Sequence, residues 1–174
     1  MKPTKIYIVD DSLTIRAMMQ SLVEQDDAFN VCGLAGDVDH AIDDIDVERP
    51  DIVLLDLALP SGDGLSFLDR TQAQIHDPWH AMKVIVVSAS AKRDATVCTD
   101  AFERGAIACF DKSRVCSQSD AFLTLLHEAS RGEICRDSLW GDAVTLPERA
   151  HDAIDLPGFM PPPDARLPSL LTFI

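Results

Sequence analysis

With 174 residues, 47% of them hydrophobic, and a formal net charge of −14, the chain can bury one good core and is too short for two full-sized domains. Acidity holds throughout, with 12 basic against 22 acidic residues up to Arg131 and 3 against 7 after it. Such a surface repels phosphate backbones and anionic lipid, which disfavours direct contact with nucleic acid or membrane and leaves a metal or a protein as the expected partner.

The chain opens MKPTKIYIVDD, where carboxylates follow after only a few apolar residues. Neither a signal peptide nor a membrane span reads this way, so a cytoplasmic location is expected. Ile6 to Val9 predicts a strand, and Ile15, Met18, Met19, Leu22 and Val23 form a helical stripe after it. A weaker strand at Asn30 to Leu34 and a helix over Val38 to Val47 come next. Ile52 to Leu55 and Val84 to Val87 are continuous runs of Val, Ile and Leu, as in strands buried on both faces. The helical stretch Leu65 to Ile75 lies between them. Ala95 to Arg104 (helix), Ala106 to Phe110 (strand) and Ala121 to Ala129 (helix) complete the alternation. Strand and helix alternating five times predict a doubly wound α/β domain over residues 1–131, a parallel sheet with helices on both faces. In such sheets ligands bind beyond the carboxyl ends of the strands, near the point where strand order reverses.

Residues 132–174 hold six of the ten prolines and predict an irregular, acidic tail without an output domain. Its ending, LPSLLTFI, is apolar enough to pack on its own domain, on a second chain or on a partner. The five cysteines are odd in number and lack CxxC spacing, which argues for small buried apolar residues over a disulfide framework or a zinc site.

Polar residues stand where the predicted strands stop. Asp10 and Asp11 follow the first, Asp56 the third, Ser88 ends the fourth, and Lys112 follows the fifth. Three converging carboxylates repel, and a hard divalent cation such as Mg2+ relieves the repulsion while neutralising an incoming phosphoryl group. A hydroxyl and an ammonium aimed at an aspartate suit the oxyanion charge of that group. The plainer alternative is that Asp10-Asp11-Ser12 caps the helix starting near Leu13.

In the motifs YIVDDS, VLLDLALPSGDG, VIVVSAS and GAIACFDKS, the chain from about Lys5 to Arg131 resembles the receiver domains of bacterial two-component response regulators, including the stand-alone chemotaxis-regulator type. The resemblance implies a flavodoxin-like sheet of order 2-1-3-4-5 and Asp56 as phosphoacceptor. It also implies Mg2+ held by Asp10, Asp11, Asp56 and the backbone carbonyl of Ala58, with Ser88 and Lys112 meeting the phosphoryl group. Pro60 and Gly64 match the loop that shapes the site. The donor would be a phosphohistidine on a sensor histidine kinase or a histidine phosphotransfer protein, and the output a downstream protein target. On this reading the chain catalyses only its own phosphorylation and slow dephosphorylation and is no dedicated enzyme. Two positions depart from the family pattern. Cys109 stands where a switch aromatic is usual, with Phe110 expected on the opposite face, and Ser113 replaces the usual proline after the lysine.

The tail is too short, too acidic and too proline-broken for a DNA-binding output domain. Two outputs therefore stay open: a receiver acting by protein contact or as a phosphorelay intermediate, and an adaptor or homodimer that binds through the tail. A dehalogenase-like phosphatase is disfavoured because Ala58 stands where that family has its second Asp, and a dinucleotide-binding domain because no GxGxxG follows the first strand.

Overall fold

The computed structural model describes residues 2–59, 64–74, 82–89 and 95–134. Five parallel strands, β1 (Thr4–Val9), β2 (Phe29–Ala35), β3 (Ile52–Leu55), β4 (Lys83–Ser88) and β5 (Ala108–Asp111), form one sheet in the order β2-β1-β3-β4-β5. They are linked by α1 (Leu13–Val23), α2 (Val38–Glu48), α3 (Gly64–Gln74) and α4 (Ala95–Glu103), and α5 (Ser119–Arg131) closes the series. This is the doubly wound fold and strand order that the sequence implied. The chain runs from β1 to one edge, then restarts at β3 on β1's other side, so the order reverses between β1 and β3.

Side chains alternate along each strand and so build two cores. Tyr7, Val9, Val53, Leu55, Val84 and Val86 face one side, where Ala41 and Ile42 of α2, Phe67 and Leu68 of α3 and Ala101 of α4 cover them. Ile6, Ile8, Ile52, Leu54, Ile85 and Val87 face the other, under Met19 and Val23 of α1 and Phe122, Leu126 and Ala129 of α5. Residues in both sets are almost wholly buried. Each such side chain contributes about 1.5–3 kcal/mol through lost apolar surface, which makes the central strands the rigid part of the molecule.

The ends of the helices are chemically specified. The Ile15 N–H donates to Ser12 Oγ at 3.4 Å to start α1, and the His40 N–H donates to Asp37 Oδ1 at 3.0 Å to start α2. At the far end of α5, Gly132 adopts φ 73°, and Lys83 Nζ donates to the Ala129 carbonyl at 2.7 Å.

Three expectations need correction. The fifth strand begins at Ala108, because the Ala106 N–H donates to the Ala101 carbonyl of α4 at 2.9 Å and so belongs to the helix end. A 3-10 turn at Lys112–Arg114, with Asp111 Oδ1 accepting from the Ser113 N–H at 2.9 Å, was not foreseen. Among the cysteines only Cys98 is fully buried; Cys32 and Cys109 are half-buried and Cys116 is exposed, while Cys135 lies outside the described residues. Beyond Glu133 and Ile134, the predicted tail and its apolar ending also lie outside them. No helix among the described residues is long and apolar enough to cross a membrane.

Candidate functional site

Strand register delivers the polar residues. Val9, Leu55, Val86 and Cys109 lie across from one another in successive strands, so Asp10 and Asp56 stand side by side one residue further on. The Asp56 N–H donates to the Val9 carbonyl at 2.8 Å and carries the β1–β3 ladder to that point. Ser88 ends β4 directly across from Asp111, and Lys112 comes one residue later. Lys112 thus sits two residues further along than Asp56, about 7 Å at strand rise, a gap that a four-carbon side chain reaches back across. All of this happens where strand order reverses, the place the fold favours for ligands.

The Lys112 ammonium lies 2.6 Å from Oδ2 of both Asp10 and Asp56. Toward Asp56 it is an aligned hydrogen bond. Toward Asp10 it is an ion contact off the hydrogen-bond direction, which leaves the buried Oδ2 of Asp10 without an aligned donor. The other oxygen, Asp10 Oδ1, accepts from the Ser12 N–H at 2.9 Å, and Asp56 Oδ1 accepts from the Ala58 N–H at 3.2 Å. Asp10 and Asp56 are buried, whereas Asp11 is exposed, yet each of the three offers an oxygen within 4.8 Å of the others. The acidic cluster therefore combines two desolvated carboxylates, one wet carboxylate and a single ammonium. Burial pushes the Asp10 carboxyl above its ordinary range, opposed in part by Lys112 and the Ser12 N–H. Burial pulls the Lys112 ammonium down, but its close contacts with the Asp10 and Asp56 carboxylates and their charges outweigh it and raise it overall. An under-coordinated buried carboxylate oxygen beside a solvent-facing one fits a hard oxygen-seeking cation better than it fits one lysine.

Ser88 is buried at the end of β4. Cys109 packs against the core face that α2, α3 and α4 cover; its thiol hydrogen-bonds with Cys98 and, with burial added, is pushed up. Phe110 turns to the opposite face, 5.0 Å from the Phe122 ring, as strand alternation required. Pro60 lies outside the described residues. Gly64 opens α3, and its N–H donates to the Leu57 carbonyl at 3.1 Å. A Cβ there would come within 2.6 Å of both the Asp56 carbonyl oxygen and Leu57 Cα, so only glycine lets the helix press this closely behind Asp56.

Two features escaped the sequence reading. Lys112 was expected near Asp56 but also reaches Asp10, and Arg16 Nη1 donates to the Asp10 carbonyl. The first depends on sheet register and on the turn after β5, which no local pattern carries. For the second, the spacing was readable, since Arg16 lies one helical turn beyond the Ser12 cap, but its target was not. The capping alternative is realised alongside the cluster: Ser12 caps α1 while Asp10 braces the Ser12 N–H.

Comparison with known proteins bears on the fold and the family of the chain. Among relatives, the chain is 32% identical over 149 residues to a protein-glutamate methylesterase/protein-glutamine glutaminase of Anaeromyxobacter dehalogenans, covering 86% of this chain and 36% of that protein. A similarly named protein of Rhodospirillum rubrum is 29% identical over 166 residues, covering 92% and 44% respectively. The response regulator domain of Thermotoga maritima CheB superposes with a TM-score of 0.68 at 20% identity, over 75% of this chain and 98% of that one, which shows the shared fold. The chain thus spans less than half the length of the curated relatives it matches. Their names correct one expectation: the chain was read as no dedicated enzyme, but these relatives are enzymes. A receiver sequence carries no trace of the chemistry performed by the remainder of such a protein, which is why the residues misled. Residues 6–118 match the family described as the response regulator receiver domain, and to that family this chain belongs.

Proposed function

We propose that Asp56 accepts a phosphoryl group from a phosphohistidine on a sensor histidine kinase or histidine phosphotransfer protein. The observation that carries this reading is the Lys112 ammonium 2.6 Å from Oδ2 of both Asp10 and Asp56 at the switch point of the sheet. Asp10, Asp11, Asp56 and the Ala58 carbonyl would hold Mg2+, whose chemistry is to neutralise phosphoryl oxygens and offset repulsion between two anions. An Asp56 carboxylate oxygen attacks phosphorus in line as the P–N bond breaks, and the electron pair leaves with the donor imidazole. Lys112 and Ser88 are the donors at hand for the phosphoryl oxygens, with the ammonium moving from carboxylate to phosphate charge. Water later attacks the acyl phosphate, releasing inorganic phosphate and regenerating the carboxylate. The work is done in the cytoplasm, and the signal leaves through contact with a downstream protein target.

Incubation with a small-molecule phosphodonor and Mg2+, read by intact mass, tests this. One added phosphoryl group is expected on the native chain, none on Asp56→Asn, and none after chelation. Equal addition to Asp56→Asn would refute the acceptor.

A second reading makes the receiver the regulatory part of a protein-glutamate methylesterase/glutaminase. It is favoured by the reach of the matches: residues 1–131 are 131 of 174, about 75% of the chain, yet the two relatives cover 86% and 92% of it, so the likeness extends past α5. Methanol release from a methyl-esterified protein by an esterase region joined to this receiver, with and without phosphodonor, decides it, and release that the phosphodonor leaves unchanged sinks it.

A further inference from the structure

We infer that Arg16 is a positioning residue for the acidic pair and that Gly36 exists to leave room for it, an inference that rests on the proposed Mg2+ site. The β1 ladder ends with the Asp56 N–H on the Val9 carbonyl and the Asp10 N–H on the Ala35 carbonyl. The Asp10 carbonyl is the next main-chain acceptor, and there the chain must turn so that two consecutive side chains, Asp10 and Asp11, both bring an oxygen to Asp56. Arg16 takes that acceptor from above: α1 places it one turn beyond Ser12, whose carbonyl accepts the Arg16 N–H at 3.0 Å, and Nη1 donates to the Asp10 carbonyl. With the Ser12 N–H on Asp10 Oδ1, both ends of Asp10 are fixed, main chain by Arg16 and carboxylate by the helix start.

Gly36, just past β2, walls the other side of the guanidinium. A Cβ on Gly36 would stand 3.1 Å from Arg16 Nη1, 3.7 Å from Cζ and 3.8 Å from Nη2. The positive-φ glycines among the described residues are Gly105 and Gly132, so what Gly36 offers Arg16 is space and not a special backbone conformation. A methyl group there would crowd the flexible end of Arg16, which would have to give by a few tenths of an ångström while holding the Asp10 carbonyl. Arg16 thus reaches the Asp10 carbonyl with Gly36 beside its guanidinium, and neither residue carries a metal-binding oxygen in the cluster.

The sign of the effect separates positioning from charge. Arg16 is a cation near a cation site, so by Coulomb's law alone its removal would strengthen Mg2+ binding. If it positions Asp10 and Asp11, removal weakens binding, by about ten- to a hundredfold as for partners that orient metal ligands. Calorimetric titration of the full chain with Mg2+ tests this on the native protein, Arg16→Met and Gly36→Ala, together with thermal midpoints and the Mg2+ dependence of phosphorylation. Weaker Mg2+ binding is expected in both variants, less so in Gly36→Ala, whose midpoint should hold or rise because alanine restricts the unfolded chain. Both variants should approach the native phosphorylation rate at saturating Mg2+, as a metal-positioning role requires and a general loss of folding does not allow. Native-like or tighter Mg2+ binding by Arg16→Met overturns the inference alone. No Mg2+ binding by the native chain overturns the metal reading and this inference with it.

Discussion

The apolar residues that close the central strands and the residues just beyond them obey opposite rules. Val9, Leu55 and Val86 are apolar, buried and interchangeable in kind, each covered by helices on the same face of the sheet. The next residues along, Asp10 and Asp56, are as deeply buried but carry charge, share one ammonium, and in the case of Asp10 leave an oxygen poorly satisfied. The first region stabilises the fold by removing apolar surface from water. The second costs stability, since desolvated carboxylates are held by a packed frame that tolerates them. The poorly satisfied oxygen of Asp10 is the one the protein leaves open to a cation.

Substitutions should break the contrast in opposite directions. Phe122→Ala empties the core under α5 and should cost about 3–5 kcal/mol in denaturant unfolding, while the folded fraction still accepts phosphoryl normally. A large drop in phosphorylation per folded molecule would show that frame and site are not separable. Gly64→Ala strikes the border between the regions. With Cβ contacts of 2.6 Å to the Asp56 carbonyl and Leu57 Cα, the backbone must shift, for about 1–3 kcal/mol and a slower phosphorylation rate by intact mass. Asp10→Asn should do the reverse of Phe122→Ala, gaining about 1 kcal/mol of stability by removing a buried charge while weakening Mg2+ binding.

That last gain carries a pH signature. Burial raises the folded Asp10 carboxyl above its unfolded value, so on raising the pH from acid the unfolded chain ionises this residue first, at about 3.9. Asp10 therefore subtracts stability as pH rises from there until the folded carboxyl itself ionises, and the penalty is constant above. Thermal midpoints of Asp10→Asn and the native chain should coincide at low pH and diverge upward in the variant's favour. A gap that instead closes with rising pH would contradict the direction assigned to Asp10.

Much of this was legible in the chain. Apolar runs located β1, β3 and β4, helical stripes located the helices between them, and polar residues at the strand ends marked Asp10, Asp11, Asp56 and Ser88, with Lys112 after the weaker fifth run. These signals are local: periodicity and strand ends depend on neighbours in sequence. The contacts that make the site were not local. Lys112 on Asp10, Arg16 on the Asp10 carbonyl, Gly64 against Asp56 and Gly36 beside Arg16 depend on which strands are neighbours and in what register. The enzyme names of the relatives lay further out of reach, since nothing in a receiver sequence encodes the chemistry of a protein more than twice its length.

The order of residues by itself determined the doubly wound architecture and which side chains stand at the ends of its strands, because backbone alternation and apolar burial act between near neighbours. Only the tertiary structure decided how one ammonium divides between two carboxylates and which oxygen is left wanting. Distances of a few ångströms between segments tens of residues apart are fixed by sheet register and helix packing, and the strength of electrostatic and metal-ligand contacts turns on those distances.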